Sequence, residues 1–198
     1  MATAKKWSNV AIAMQSAIAA DTTITAISKA SEGVVTATNT LANGDYVIIN
    51  CLGMFQLNAR VARVKTVSGS GFTLEGIDTT LFDTFTSGTC NKLTFGTSIT
   101  TATSVSPAGG EFDFIDTTTI HVNSKTQIPG LASPATYSFE NVWDVADAGL
   151  LAMKLAGDAQ AQRAFKFTFG TGGNIMVFSG YVGANLLPGG QSQGLVTT

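Results

Sequence analysis

Charge is what this chain has least of. Aspartate, glutamate, lysine and arginine make up 12% of its 198 residues, and the net charge is −2. That excludes the electrostatic footprint of a duplex nucleic-acid binder. It also suits a surface later covered by other subunits, because interface cores are depleted in charge. There is one histidine, His121, so a hydrolase with a nucleophile and a base held together has no second imidazole to draw on. Neither of the two cysteines, Cys51 and Cys90, lies in a C-x-x-C pair. Free, buried thiols are expected rather than a disulfide framework. No run approaches the ~20 uninterrupted apolar residues of a membrane span, so a soluble protein with no membrane partner is expected.

Other candidates for chemistry fail on spacing. Gly170-Thr171-Gly172-Gly173-Asn174 is glycine-rich, but no Lys-Ser or Lys-Thr follows it. Asp144, Asp147 and Asp158 flank helix ends and lack the density of a calcium loop. Trp143 and Phe112 have no basic groove beside them with which to stack on single-stranded bases. The sequence assigns no catalytic residue, no cofactor and no metal, and the expectation is that the protein is not an enzyme.

What is present favours strands and turns: 44% hydrophobic residues, 21 glycines and abundant threonine. The best-marked stretch is Ala135 to Gly190. Tyr137 and Phe139 alternate with polar residues as a half-buried strand does. A helix capped by Asp144 or Asp147 follows, with Val145, Ala148, Leu151 and Leu155 as its apolar stripe, Lys154 near the last carbonyls and Gly157 as a left-handed cap. Phe165, Phe167 and Phe169 then give one aromatic strand face, with the other left to water. Gly170 to Asn174 is the turn into Ile175 to Val182, where Gly180 suggests a bulge.

Upstream, Lys5-Lys6 and the Ala/Ile-containing run to Ala20 imitate a secretory signal. On that alternative the protein is a secreted or surface β-sandwich adhesin or pilus-like subunit. Against it, Ser8, Asn9, Gln15 and Ser16 interrupt the run, and Val10, Ile12 and Met14 alternate as a strand does, so Lys6 to Gln15 is expected to be one, with Ser16 to Asp21 as a connection. Thr23 to Phe95 then carries short strands at close spacing, with turns at Asn43-Gly44-Asp45 and Ser68-Gly69-Ser70-Gly71. It suggests a compact barrel or sandwich of its own. Beyond it come a Thr/Ser/Gly-rich connection from Gly96 to Gly110, a strand from Glu111 to Ile115, and a polar loop from Asp116 to Gly130. A loop of that length is expected to be functional, mobile in the free subunit and ordered by a neighbour.

The stretch with Ile24-Thr25-Ala26-Ile27-Ser28, Val34-Val35-Thr36, Gly53-Met54-Phe55-Gln56-Leu57-Asn58, Phe72-Thr73-Leu74-Glu75-Gly76 and Ile77-Asp78-Thr79-Thr80 resembles a small module of phage structural proteins. That module is itself similar to the first catalytic cysteine half-domain of ubiquitin-activating enzymes. Neither Cys51 nor Cys90 falls on a motif that carries chemistry there, so the resemblance implies fold and no ubiquitin chemistry. Outside it, Phe112-Asp113-Phe114-Ile115-Asp116-Thr117-Thr118, Ile128-Pro129-Gly130, Tyr137-Ser138-Phe139, the Asp147 to Leu155 helix, Phe165-Lys166-Phe167 and Val177-Phe178-Ser179-Gly180-Tyr181-Val182 look like a siphophage tail tube protein.

This second resemblance implies a mainly β fold: a β-sandwich of residues 1–22 and 96–198 with one flanking helix and a long loop, interrupted by a small inserted β-barrel module at 23–95. It implies a virion protein assembled in the host cytoplasm as hexameric rings. These stack into a tube through which DNA passes non-specifically; the eight acidic against six basic residues of 1–22 and 96–198 predict that its lumen is weakly acidic. The partners it implies are further copies of the chain, a tape measure protein, and tail terminator and distal tail proteins. The inter-subunit candidates are Ile115, Thr117, Thr118, Ile120, His121, Val122, Lys125 and Ile128 of the long loop; no lumen-lining residue is assigned. Relatives carry a further strand after positions like Val196-Thr197-Thr198, so the closure of one sheet is expected to differ here.

Overall fold

The structure is a computed structural model that describes residues 9–170, 174–184, 186–190 and 195–198. These fall in two compact units, one within Met1–Thr100 and Val145–Leu186, the other within Thr101–Asp144 and Leu187–Thr198.

The first unit opens with ten strands: β1 (Val10–Met14), β2 (Ala17–Ile18), β3 (Thr22–Ile24), β4 (Ala26–Ile27), β5 (Val34–Thr36), β6 (Tyr46–Leu52), β7 (Arg60–Ser68), β8 (Gly71–Leu74), β9 (Ser87–Thr94) and β10 (Thr97–Ile99). The second unit supplies β11 (Ala102–Ala108), β12 (Phe112–Asp116), β13 (Gln127–Ala132) and β14 (Thr136–Asn141). The chain then returns to the first unit as α1 (Ala148–Asp158), β15 (Gln162–Phe169) and β16 (Ile175–Tyr181).

An antiparallel four-stranded sheet has the order β10-β1-β15-β16. Its core face follows from alternation: Ile12 and Met14 on β1, Ile99 on β10, and Phe165 and Phe167 on β15 are buried. Phe178 of β16 stacks on both Phe rings, with centroids 5.6 Å apart in each case. The stretch that imitates a secretory signal thus contributes an interior strand. The other face of β15 was expected to meet water, and it does not. Ala164 packs with Ile48, Val61 and Leu93, and the Lys166 ammonium lies 5.3 Å from the rings of both Tyr46 and Phe95. A small residue and a snorkelling lysine stem admit a second layer where a polar alternation suggested solvent. Gly180 makes no bulge; it pairs in register with Arg163. The expected turn residues 171–173 lie outside the described residues.

The second layer is an eight-stranded sheet, β2-β9-β6-β7-β8-β5-β4, with β3 also on β9. The Ser68 to Gly71 turn joins β7 to β8 as expected, and part of the Ser16 to Asp21 connection is β2. The sheet curls round Ile24, Val35, Val47, Ile49, Met54, Leu57, Val64, Phe72, Leu74 and Cys90. The barrel expected here does not close. One end of the sheet is formed by β2 and β3, both on β9, and the other by β4; β3 and β4 are consecutive in the chain with Thr25 alone between them. One residue cannot form the reversal that antiparallel pairing needs. Instead the Thr25 amide and hydroxyl both donate to the Thr36 carbonyl, at 2.9 and 3.1 Å. Thr79 is fully buried, with its hydroxyl donating to Ser28 O at 2.8 Å and accepting from Ala30 N at 3.1 Å. Both cysteines are free and buried, as expected.

Asp147 caps α1, accepting from Leu150 N at 2.8 Å. The rest of the helix departs from its sequence reading. The buried residues are Gly149, Leu150, Met153 and Ala156, whereas Leu151, Leu155 and the preceding Val145 are exposed. Ala148-Gly149-Leu150-Leu151 is apolar on every side, so periodicity alone defines two stripes, and close approach selects one. A Cβ on Gly149 would stand 2.6 Å from Ser98 O, so the glycine side must face β10. Gly157 is inside the helix rather than capping it. A Cβ there would stand 2.9 Å from Ala184 N, and the left-handed residue is Gln160 at φ 47°.

In the second unit, β11 pairs with β14 and β12 with β13, each pair a two-stranded antiparallel ribbon. The expected Gly96 to Gly110 connection is mostly strand, β10 and β11. Residues 195–198 run beside 141–143: Asn141 and Thr198 exchange backbone hydrogen bonds at 2.8 and 2.9 Å, and Trp143 N donates to Val196 O at 2.7 Å.

Candidate assembly surface

Of the polar loop expected over Asp116 to Gly130, 117–126 is loop, and only its two ends, Asp116 and Gln127–Gly130, are strand, belonging to the β12–β13 ribbon. Phe112, Phe114 and Ile115 have aromatic and β-branched side chains suited to strand, and β12 extends roughly 17 Å at the usual rise per residue. At its base, Gly109 and Gly110 take φ of 78° and 83°. A Cβ at Gly109 would lie 2.2 Å from Pro134 O, a position only glycine can occupy. Across this corner Gly110 N donates to Ser133 O at 3.1 Å and Ser133 N to Glu111 O at 2.8 Å, so pairing is carried from the inner ribbon to the outer one. Pro129 sits opposite Phe114, beside a register shift between Phe112 and Phe114. A proline lacks the ladder donor and is tolerated because this is an edge strand.

The named candidates divide into three groups. Ile115 and Ile128 are directly opposed across the ribbon. Thr117 and Thr118 close its neck, with Thr117 N donating to Thr126 O at 2.9 Å and Thr126 N donating to the Thr118 hydroxyl at 3.1 Å. Their hydroxyls serve the turn itself. Thr118 N also donates to Asp116 at 2.8 Å, and hydrogen bonds from the Thr118 side chain and backbone hold that carboxyl below its ordinary pKa. Ile120, His121, Val122 and Lys125 are exposed at the tip, Ile120 at 96%.

Sequence reasoning missed the densest part of the surface. Phe112, Phe114 and Leu131 are 57%, 64% and 87% exposed. With Ile115, Ile120, Val122 and Ile128 they place apolar groups on both faces of one ribbon. A two-stranded ribbon standing alone in water is marginal, and burying such side chains contributes roughly 1.5–3 kcal/mol each. The signal was available: Phe-Asp-Phe-Ile-Asp offers a core no continuous face and offers solvent too many aromatics.

The carboxylates once weighed as a cation site have structural partners. Asp147 caps the helix and also accepts from the Thr100 hydroxyl at 3.2 Å, while Asp158 pairs with Lys154 at 2.6 Å. Among the described residues there is no group of three or more metal-ligating side chains, and no helix long and apolar enough to cross a membrane. The arrangement offers adhesion through exposed apolar groups and strand edges.

Residues 53–198 match the profile of a family described as phage tail tube protein, TTP. Among curated proteins, none matches the chain.

Proposed function

The chain belongs to the phage tail tube protein family, and on that premise we propose that it polymerises as stacked hexameric rings forming the conduit for genome delivery. It is a structural component of the virion tail. The observation that supports polymerisation is the β12–β13 ribbon, whose exposed Phe112, Phe114, Ile115, Ile128 and Leu131 need a partner for burial. A repeated heterologous contact of this kind closes into rings or propagates as a filament.

In this reading the subunit performs no catalysis. Ring stacking brings Ile115, Ile120, His121, Val122, Lys125 and Ile128 against a neighbouring subunit, with Thr117 and Thr118 shaping the turn that presents them. The tube ends meet tail terminator and distal tail proteins, and a tape measure protein and then DNA occupy a weakly acidic lumen. An acidic wall lets phosphates slide where a basic one would retain them. Residues 23–95 form a module on the outside of the tube, carried by 1–22 and 96–198.

Negative-stain microscopy of the purified protein tests the proposal. Sixfold rings or tubes with a central channel are the expected result, and a monomer at every concentration would overturn it.

A further inference from the structure

A cleft of about 850 Å³ runs along β16, between Asn174–Ser179 on one wall and Arg60–Arg63 of β7, with Glu75, on the other. Two strand edges line it. β16 is the outermost strand of its sheet, and β8 joins β7 only from Val64 onward; with the Arg63 carbonyl taken by Glu75 N at 2.9 Å, Arg60–Ala62 is left paired to β6 alone. The walls are incompletely covered: Ile175 is exposed, and Met176 and Val177 are half-buried. The cleft is also cationic. Arg63 is paired with Glu75 at 3.0 Å, whereas Arg60 has no ion pair among the described residues.

The complementary edge is on the other unit. Thr101–Asp144 carries Glu111, Asp113, Asp116, Glu140 and Asp144 against Lys125 alone, which leaves the remainder of the chain net positive. Within it, β12 is an exposed strand paired only to β13, and it reads Phe-Asp-Phe-Ile-Asp.

We propose that β12 of one subunit lies in the β16 cleft of another copy, adding a strand to the four-stranded sheet. Phe112 and Phe114 then cover Ile175 and Val177, and Asp116, on the same face of β12, turns towards Arg60. Backbone pairing along two free edges gives the contact its strength, and the alternating charged and apolar side chains fix its register. An acidic unit on one copy meeting a basic cleft on the next makes the contact heterologous, so that it propagates. This rests on the tube reading and names the seat of the arm within it.

The experiment mixes full-length subunits carrying Asp116→Cys with subunits carrying Arg60→Cys under assembling conditions, and adds a short bismaleimide linker. Cys51 and Cys90 are buried and provide the unreactive background. Cross-linked dimers from the mixture, and far fewer from either variant alone, are expected. In parallel, Arg60→Glu and Asp116→Lys should each raise the concentration needed for assembly at least tenfold, and their combination should restore it. Tubes that form normally with no cross-link in the mixture would overturn the seat and leave the tube reading standing. A wild-type protein that forms neither rings nor tubes would overturn both.

Discussion

The amide of Gly96 donates a hydrogen bond to the hydroxyl of Ser16 at 3.0 Å, and that hydroxyl donates in turn to Thr94 O at 3.2 Å. The pair sits where two antiparallel chains, β1 into β2 and β9 into β10, leave one sheet and enter the other. A Cβ at position 96 would stand 2.6 Å from the Ser16 oxygen. Gly96→Ala must therefore turn the serine away, breaking both bonds and leaving the amide unpaired. Both bonds are solvent-exposed, and we expect a loss of about 0.5–1.5 kcal/mol. In a Ser16→Ala background the same change should cost clearly less, because the bonds are already gone. Urea unfolding of the four proteins measures the coupling; strictly additive losses would show that the corner does not depend on this pair.

On α1, Leu150 is 2% exposed and Leu155 is 69% exposed. Leu150→Ala should destabilise the subunit by about 2–4 kcal/mol. Leu155→Ala should change its unfolding free energy by no more than about 0.5 kcal/mol. Thermal and denaturant unfolding of the unassembled subunit separate the two, and equal losses would mean that the helix presents a different face to the sheet.

That helix also marks the limit of what was legible in the sequence. Its existence, a cap at Asp144 or Asp147 and the strands on either side followed from local signals, and so did the aromatic face of Phe165 and Phe167. Which of two apolar stripes is buried depended on backbone approach at Gly149, and the role of Gly157 on its approach to Ala184. Both are tertiary facts with no local signature. The same holds for Lys166, whose alternation with Phe165 and Phe167 signals a wet face until Tyr46 and Phe95 arrive from far upstream. In the arm the difficulty was reversed. Threonine, asparagine and serine made Asp116 to Gly130 read as loop, which holds for 117–126, while the pairing of Gln127–Gly130 with β12 across that tip is not predicted by local propensity.

Burial pushes the Cys90 thiol up to about 11. In the unfolded chain a thiol ionises near ~8.5. Because the folded value is the higher one, this group's contribution to stability is intact below about pH 8.5 and is lost as pH rises towards 11, by about 1.4 kcal/mol per pH unit within that window. The difference in unfolding free energy between the wild type and Cys90→Ala should be constant from pH 6 to 8 and shrink from pH 9 to 11. A difference that stays flat to pH 11 would mean that the folded thiol ionises as freely as the unfolded one.

The principal cluster of buried side chains in the eight-stranded sheet lies wholly between Ile24 and Cys90. We expect a fragment of residues 17–96 to unfold cooperatively, with a dispersed amide spectrum. The face formed by Ile48, Val61 and Leu93, which packs on Ala164 in the whole chain, would be exposed in the fragment. Leu93→Thr should therefore improve the fragment's solubility while destabilising the full chain. A fragment that stays unfolded would place residues 23–95 within a single folding unit with the four-stranded sheet.

The arm distinguishes a subunit that is merely folded from one that is built to polymerise. Its outer ribbon has hydrogen bonds along one side of each strand only, since β12 and β13 pair with each other and with no other described strand. Ordering a residue's backbone costs about 1–2 kcal/mol, and a two-stranded ribbon without a covered face does little to offset that. In the free subunit, amides of Phe112–Asp116 and Gln127–Ala132 should therefore exchange within seconds to minutes, far faster than those of Gln162–Phe169, which lie between two neighbouring strands. In the tube a neighbour supplies both the missing edge and the missing burial, so exchange in the arm should slow by at least a hundredfold while that of β15 hardly changes. Replacing Phe114 and Leu131 with serine should leave β15 protection in the subunit as it was and abolish the slowing. If the arm is as protected in the free subunit as in the tube, it is an ordinary ordered connection, and the burial that drives assembly must come from elsewhere on the surface.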